Sequence, residues 1–248
     1  MIKINFHKNH FHITTLLCVV LFSILSSCQQ KNMQPEKNKK IITLGGKASV
    51  AGKKVLEEIS ETKNILEDGY LVTRSDDDFE SLTLMNFLQR DKAYSHAGIV
   101  FKEDSNVYIY HSMTGIENPE GCCRRDLYDS FVNPLQKTGF GVFKYNLSVK
   151  EKELLHAYYK KQYAAKTPFD IYFNLASSDS LYCSEIIYKG LLLATNGRVK
   201  LPISTMHNFK PKIMGYHLNG IFFKKFDFIG IDDIYMNQFC NEIKRIKY

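Results

Sequence analysis

The chain has 248 residues, of which 44% are hydrophobic and 13% aromatic, with no tryptophan. This composition is typical of a globular domain with a sizeable core and excludes a disordered or low-complexity chain. The formal net charge is +7, and lysines among the first 40 residues contribute to it. The other lysines are scattered and balanced by acids, which excludes a concentrated nucleic-acid-binding patch.

The N-terminal segment has the pattern of an export signal. Residues 1–27 contain no acid and carry Lys3 and Lys8, and residues 13–25 form an apolar run too short to span a bilayer comfortably. The following Leu-Ser-Ser-Cys at 25–28 resembles the lipobox of bacterial lipoproteins, in which cleavage leaves a diacylated cysteine. We therefore predict a signal peptide over 1–27, lipidation of Cys28 and a membrane-anchored location in the cell envelope, on the periplasmic side or in the outer membrane. The alternative is an ordinary signal peptide in which Cys28 is incidental.

A tether and a single domain are predicted to follow. Residues 28–42 are polar and without period, so they indicate a lipidated N-terminus with a flexible linker, and residues 43–248 form the domain. At the start of the domain, the apolar spacing predicts a helix over 48–66, a strand over 70–73 and a short helix over 79–88.

The cysteines are too few for a disulfide scaffold. Removal of residues 1–27 leaves five, which are Cys28, Cys122, Cys123, Cys183 and Cys240. The adjacent pair Cys122-Cys123 does not match the spacing of a zinc or redox motif, and no metal or organic cofactor is implied. A disulfide between one of this pair and Cys240 remains open.

A hairpin that carries two histidines is predicted in the middle of the chain. Residues 96–101 and 107–111 are apolar strands, and the polar residues 102–106 form the turn between them. A two-residue turn at 103–104 places His96 opposite His111, with their Cβ atoms about 5 Å apart on one face. The alternative is that the two histidines lie at the edge of the domain and have no catalytic role.

The second half of the chain continues this mixed pattern. A strand is predicted over 140–145 and a helix over 149–163, and residues 220–228 and 229–235 indicate further strand and turn material. No internal repeat, glycine-rich phosphate loop or zinc-binding H-E-x-x-H motif is present in the sequence.

A helix that begins close to Cys183 is the most informative element. Ser180 is the predicted N-cap, Cys183, Ile187 and Leu191 recur at helical spacing, and Asn196-Gly197 marks the end. A thiol at a helix N-terminus feels the positive end of the helix dipole, which favours the nucleophilic thiolate. The alternative is a buried core cysteine, which is common on an apolar helix face.

One cysteine and two histidines are the groups that a cysteine hydrolase needs. The thiolate attacks a carbonyl, one imidazole transfers the proton, and a third polar group orients that imidazole. Backbone N–H groups at the start of the cysteine helix are suited to bind the developing oxyanion.

The chain resembles the YiiX/YebB-like proteins, circularly permuted relatives of the NlpC-type papain-fold hydrolases. The resemblance covers about residues 65–240 and depends on four segments: Tyr94-Ser95-His96-Ala97-Gly98-Ile99-Val100, Val107-Tyr108-Ile109-Tyr110-His111, Thr167-Pro168-Phe169-Asp170 and Leu181-Tyr182-Cys183-Ser184-Glu185. It implies that Cys183 is the nucleophile and His96 the general acid and base. His111 stands where many members carry a glutamate, and where the related lecithin–retinol acyltransferase-like enzymes use a histidine.

This resemblance implies an α+β, permuted papain-like fold with a central antiparallel sheet and the cysteine at the N-terminus of a packed helix. The implied function is amide hydrolysis, with peptidoglycan stem peptides as the substrate expected for an envelope protein. Tyr182 either contacts the substrate and the oxyanion or packs in the core. The alternatives are a lipid acyl hydrolase or acyltransferase and a non-catalytic binding module. An active enzyme predicts a reachable Cys183 with a lowered pKa, and a binding module predicts an inert one.

Overall fold

A computed structural model describes residues 46–76, 81–82, 84–85, 88–209, 212–213, 216–217 and 223–248. Residues 45–248 form one compact unit. The predicted signal peptide, Cys28 and the tether lie outside the described residues, and so does much of the helix predicted over 79–88. No helix in the described part of the chain is both long and apolar enough to cross a membrane.

The described residues include ten strands and five helices whose bounds are given below, and residues 81–82 and 84–85 are helical as well. In chain order they are α1 (Gly46–Ile65), β1 (Tyr70–Ser75), β2 (His96–Glu103), β3 (Asn106–Met113), β4 (Cys122–Leu127), α2 (Tyr128–Phe131), β5 (Gly139–Tyr145), α3 (Val149–Ala164), α4 (Cys183–Ala194), β6 (Ser204–Phe209), β7 (Lys212–Ile213), β8 (Tyr216–His217), β9 (Phe223–Phe228), α5 (Ile231–Tyr235) and β10 (Cys240–Lys247). The helices predicted over 48–66 and 149–163 and the strands predicted over 70–73 and 140–145 are confirmed within two residues. The segment 229–235, expected as strand and turn, is the short helix α5.

A six-stranded sheet of order β10-β5-β1-β2-β3-β4 forms the centre of the domain, and all its pairings are antiparallel. The α+β class and the central antiparallel sheet are therefore confirmed. The sequence did not reveal the two edge strands, because β4 and β10 carry charged side chains where inner strands carry apolar ones. Such residues are usual at sheet edges, where they discourage pairing with other chains.

Each face of the sheet packs against its own helices. On one face, Leu71 and Ile99 join a cluster with Ile187 of α4, and on the other, Val72 and Val100 join a cluster with α1 and α2. Alternate residues of a strand point to opposite faces, so neighbours in the sequence serve different cores. This two-sided packing explains why the inner strands are continuous apolar runs.

The histidine hairpin forms, but its register differs from the predicted one. The turn residues are Asp104 and Ser105, both with positive φ, and β2 pairs with β3 from Ile99 opposite Tyr110 to Glu103 opposite Asn106. The left-handed conformation of both residues matches the strand twist, and aspartate tolerates it. Continuing this register places Gly98, not His96, opposite His111, so the predicted pairing is wrong by two positions. A shift of two keeps the face, so both histidines still share one side of the sheet.

Gly98 is expected to be essential for this pairing. A Cβ atom there would lie 2.5 Å from Ile109 Cγ2 and 2.7 Å from the Tyr110 carbonyl oxygen. The carbonyl oxygen belongs to the backbone of β3, so it cannot move away without disturbing the strand pairing. Gly98→Ala should therefore lower the free energy of unfolding by about 1–3 kcal/mol in urea denaturation. The control is Gly52→Ala in α1, where a Cβ atom meets nothing within 4 Å and stability should rise by up to about 1 kcal/mol. Equal stability of the two variants would contradict this packing.

The structure excludes the disulfide that the sequence left open. Cys122 and Cys123 belong to β4 and Cys240 to β10, which are the opposite edges of the sheet. Five strand spacings of about 4.8 Å separate these edges, whereas bridged Cα atoms lie within about 7 Å. Together with Cys183, these three cysteines are free thiols.

Candidate active site

The hairpin brings the two histidines into direct contact. His96 Nε2 and His111 Nδ1 are 2.9 Å apart, and the two rings are nearly perpendicular with centroids 4.9 Å apart. Both side chains are buried. The contact is diagonal across the strand pair rather than between directly opposed residues, since Gly98 stands opposite His111 and leaves room beside it.

Asp126 of β4 extends this contact into a chain of three groups, which we call the His–His–Asp chain (His96, His111 and Asp126). Asp126 Oδ2 lies 3.1 Å from His111 Nε2, and its other carboxylate oxygen accepts a 2.9 Å hydrogen bond from Arg124 Nε. Asp126 pairs with Ile109 across the β3–β4 ladder, on the face of His111. Sequence reasoning missed Asp126 because it did not reveal β4, and no local motif marks this aspartate.

The hydrogen bonds assign the tautomers of both imidazoles. Burial opposes ionisation of Asp126, but His111 and Arg124 outweigh this effect and lower its pKa to about 2. The ionised carboxylate therefore accepts a hydrogen bond from His111 Nε2–H. His111 Nδ1 is then an acceptor, which requires His96 Nε2–H to donate to it. His96 Nδ1 is left with a free lone pair, the form that a proton acceptor needs.

Both imidazoles are neutral near pH 7. Burial, followed by the positive charge of Arg74, lowers the pKa of His96 well below its ordinary value. Burial also lowers the pKa of His111, although the Asp126 carboxylate opposes this shift. The aromatic ring of Phe131 covers both imidazoles at centroid distances of 5.7 and 5.2 Å and excludes water from them.

Acidification is expected to destabilise the fold through these histidines. Their pKa values are below 6.5 in the folded state, so the unfolded chain binds more protons as the pH falls below about 6.5. The free energy of unfolding should therefore fall by up to about 1.4 kcal/mol per pH unit for each histidine. Denaturant unfolding at pH 7, 6 and 5 measures this slope, and His96→Gln should reduce it. A free energy that is unchanged between pH 7 and 5 would contradict the assignment.

Cys183 is the first residue of α4, and the N-cap differs from the predicted one. Tyr182 takes the N-cap position in an extended conformation, and Glu185 Oε2 accepts its N–H at 3.2 Å. Ser180 is not the cap, because the following Leu181 N–H donates to the Pro168 carbonyl at 2.9 Å and holds the chain outside the helix. The helix ends at Ala194, close to the predicted Asn196-Gly197 stop.

The expected thiolate at Cys183 is not favoured. The residue is only 5% exposed. Burial raises the pKa of its thiol to about 11, although the Ser184 N–H and the charge of Arg74 oppose the shift. Desolvation therefore outweighs the effect of the helix N-terminus, and Cys183 carries its proton near pH 7. The expectation of a lowered pKa was wrong because burial was not visible in the local sequence.

The structure does not join Cys183 to the histidines by a hydrogen bond among the described residues. Along β2, Ala97 and Ile99 share a cluster with Cys183 and α4, whereas His96 alternates with them toward the other face. The charge of Arg74 nevertheless acts on Cys183 and on both histidines.

Tyr182 packs in the core. The side chain is almost fully buried, and its hydroxyl accepts a 2.9 Å hydrogen bond from the Ile229 N–H. Glu185 is buried as well and pairs with Lys189 at 2.8 Å. These contacts favour the packing alternative for Tyr182 over contact with substrate or oxyanion.

The comparisons with known proteins identify the fold. The chain is similar to the crystal structure of metalloprotein YiiX from Escherichia coli O157:H7, described as DUF1105, with a TM-score of 0.58. The match covers 73% of this chain and 98% of that one at 15% sequence identity, so it shows a YiiX-like fold. No family model and no curated protein matches the chain.

The residues around the histidines do not fit a metal ion. Within the described ranges, no group of three or more histidine, cysteine, aspartate or glutamate side chains is arranged to hold one. The facing nitrogens of His96 and His111 are engaged with each other, and His111 Nε2 is engaged with Asp126. The description of YiiX as a metalloprotein is thus not matched by a donor set in the part of this chain that the structure describes.

Proposed function

We propose that this protein is a cysteine hydrolase of amide bonds with a permuted papain-like arrangement. Cys183 is the nucleophile, His96 the general acid and base, and His111 the group that orients His96. The observation that carries this proposal is the buried His–His–Asp chain. The direction of its two hydrogen bonds leaves a lone pair on His96 Nδ1. In catalytic triads a general base is likewise held in place by hydrogen-bonded partners, and the His–His–Asp chain matches this arrangement.

In this mechanism the thiol is activated by a base rather than present as a thiolate. A neutral His96 takes the Cys183 proton as the sulfur attacks the amide carbonyl, and the imidazolium then protonates the leaving amine. Water hydrolyses the resulting thioester with His96 again as the base. Because His96 points to the other face of the sheet from Cys183, the mechanism requires a rearrangement at the start of β2 that brings His96 Nδ1 to Cys183 Sγ when substrate binds.

Peptidoglycan stem peptides are the proposed substrates, since the predicted export signal and the predicted lipidation of Cys28 would locate the enzyme in the cell envelope. One observation favours a lipid acyl hydrolase or acyltransferase as the second candidate. Ile116 and Leu135 are large apolar side chains that are almost fully exposed, and their loops meet where Glu117 pairs with Lys137.

Burial of Cys183 favours the third candidate, a binding module without turnover.

Parallel incubations test these candidates. The purified protein is mixed with a peptidoglycan stem tetrapeptide and, separately, with phosphatidylcholine vesicles, and released amines and fatty acids are quantified. New amino groups from the peptide would support the proposal. Fatty acid release alone would replace it with the lipid enzyme, and the absence of both products would leave the binding module. A heat-unfolded sample is the blank for both reactions.

A further inference from the structure

A second cluster of charged groups borders the His–His–Asp chain. Arg74 Nη2 lies 2.7 Å from Glu117 Oε2, and Lys137 Nζ lies 2.5 Å from Glu117 Oε1, so one carboxylate bridges two cations. Asp76 pairs with the same cations over longer distances, 3.2 Å to Lys137 Nζ and 3.7 Å to Arg74 Nε. Glu117 is thus the closest carboxylate partner of both cations.

The four groups differ in their access to solvent. The side chains of Arg74 and Lys137 are 3% and 2% exposed, whereas that of Glu117 is 40% exposed. Arg74 and Asp76 extend from β1 and its end, while Glu117 belongs to the loop between β3 and β4. Three members are therefore fixed in the interior, and the fourth reaches them from the surface.

This cluster is adjacent to the proposed catalytic groups. The Arg74 guanidinium lies 4.6 Å above the ring of Phe131, the same ring that covers His96 and His111. Among the described residues, Arg74 Nε has no hydrogen-bond acceptor although it is buried. A buried donor without an acceptor is costly, and it marks a position where a further oxygen atom would be stabilised.

We propose that Arg74 and Lys137 form a subsite for a carboxylate group of the substrate, and that Glu117 occupies this subsite until the substrate displaces it. The inference rests on the proposed function and specifies its substrate class, a peptide with a free carboxylate near the scissile amide. When Glu117 swings out, Asp76 is the carboxylate that remains beside the two buried cations among the described residues. This excess positive charge favours an incoming anion, because charges interact strongly where water is excluded.

The geometry of the occupied state supports a carboxylate in particular. The two oxygens of Glu117 contact two different cations, an arrangement that a single chloride ion or a neutral amide cannot reproduce. Burial opposes the ionisation of Glu117, but its bonds to Lys137 and Arg74 outweigh this effect and lower its pKa. The group that now fills the subsite is therefore anionic at neutral pH, as its replacement would be.

Calorimetry with a matched pair of probes tests the subsite. The protein is a full-length Cys183→Ala variant, which lacks the proposed nucleophile and therefore cannot hydrolyse a substrate. The probes are N-acetylglycine and its uncharged analogue N-acetylglycinamide. We expect the acid to bind about tenfold or more tightly than the amide, since hydrogen bonds to charged groups exceed those to neutral ones. Equal binding of the two probes would overturn the proposal.

Displacement is tested by Glu117→Gln in the same background. Removal of the competing charge should tighten N-acetylglycine binding about fivefold or more and leave N-acetylglycinamide unchanged. The matched control is Glu120→Gln in the same loop, whose carboxylate pairs with Lys166 at the surface, 2.8 Å away, and it should alter neither affinity. Unchanged binding of the acid by a folded Glu117→Gln protein would refute displacement.

The two proposals fail in distinguishable ways. Binding of N-acetylglycine depends on Arg74 and Lys137 and does not require turnover, so selective binding without hydrolysis would refute the enzyme and retain the subsite. Lys137→Met should abolish the preference for the acid. If that variant does not fold, the comparison of the two probes on the unaltered cluster still decides the question.

Discussion

Replacement of Cys183 with serine is expected to reduce amide hydrolysis about a thousandfold or more. Loss of the nucleophile from a triad removes nearly all of the rate that the triad contributes. A serine hydroxyl has a similar size but is a much weaker nucleophile, and neutral His96 is only a modest base. The rate of amine release from a peptidoglycan stem tetrapeptide measures the effect.

Two controls make this result interpretable. Cys240→Ser alters a free thiol on β10, and the hydrolysis rate should remain as in the unaltered protein. Urea denaturation of Cys183→Ser should show little loss of stability, which would exclude unfolding as the cause. Undiminished hydrolysis by a folded Cys183→Ser protein would remove Cys183 from the mechanism.

Replacement of Asp233 with alanine is expected to cost about 3–5 kcal/mol of folding stability. Asp233 Oδ2 accepts hydrogen bonds of 2.7 Å from the Gly230 N–H and from Ser204 Oγ, and Oδ1 pairs with Arg90 Nη2 at 2.7 Å. The buried carboxylate thus joins α5, β6 and the segment before β2. Alanine leaves the Gly230 and Ser204 donors without their acceptor, at about 1–3 kcal/mol for each buried group. Arg90, whose side chain is 39% exposed, can regain water and adds less.

The matched control for Asp233 is an aspartate of the same region that is exposed. Asp227→Ala removes a carboxylate that pairs with Lys225 at the surface, and the stability should stay close to that of the unaltered protein because exposed ion pairs contribute little. Urea unfolding of both variants against the unaltered protein measures the difference. Equal losses for the two aspartates would show that the buried network of Asp233 contributes little.

The histidine hairpin could be predicted because its signals are local. Two apolar strands separated by a polar turn are visible in about sixteen consecutive residues, 96–111, and strand alternation then places His96 and His111 on one face. The register was wrong because the choice between a turn at 103–104 and one at 104–105 depends on which residues adopt positive φ. Both turns contain Asp104, which tolerates positive φ, so the sequence does not distinguish them.

The partners of the hairpin could not be predicted, since tertiary packing determines them. Asp126 lies on β4, an edge strand whose Cys-Cys-Arg-Arg-Asp-Leu sequence shows no apolar alternation. The pKa of Cys183 depends on how completely other elements cover it, and the helix position alone indicated the opposite direction. Packing of the tyrosine ring at 182 against the Ile229 backbone likewise joins residues distant in the chain.

The position of the His–His–Asp chain on three successive strands has a consequence for how the protein folds. His96, His111 and Asp126 belong to β2, β3 and β4, which pair with their sequence neighbours, whereas Cys183 comes from a later helix. Contacts between nearby residues close small loops and form quickly, while distant contacts pay a larger entropy cost first. We therefore expect the three neighbouring strands to assemble the His–His–Asp chain before α4 docks, so that His96 becomes structured earlier than Cys183.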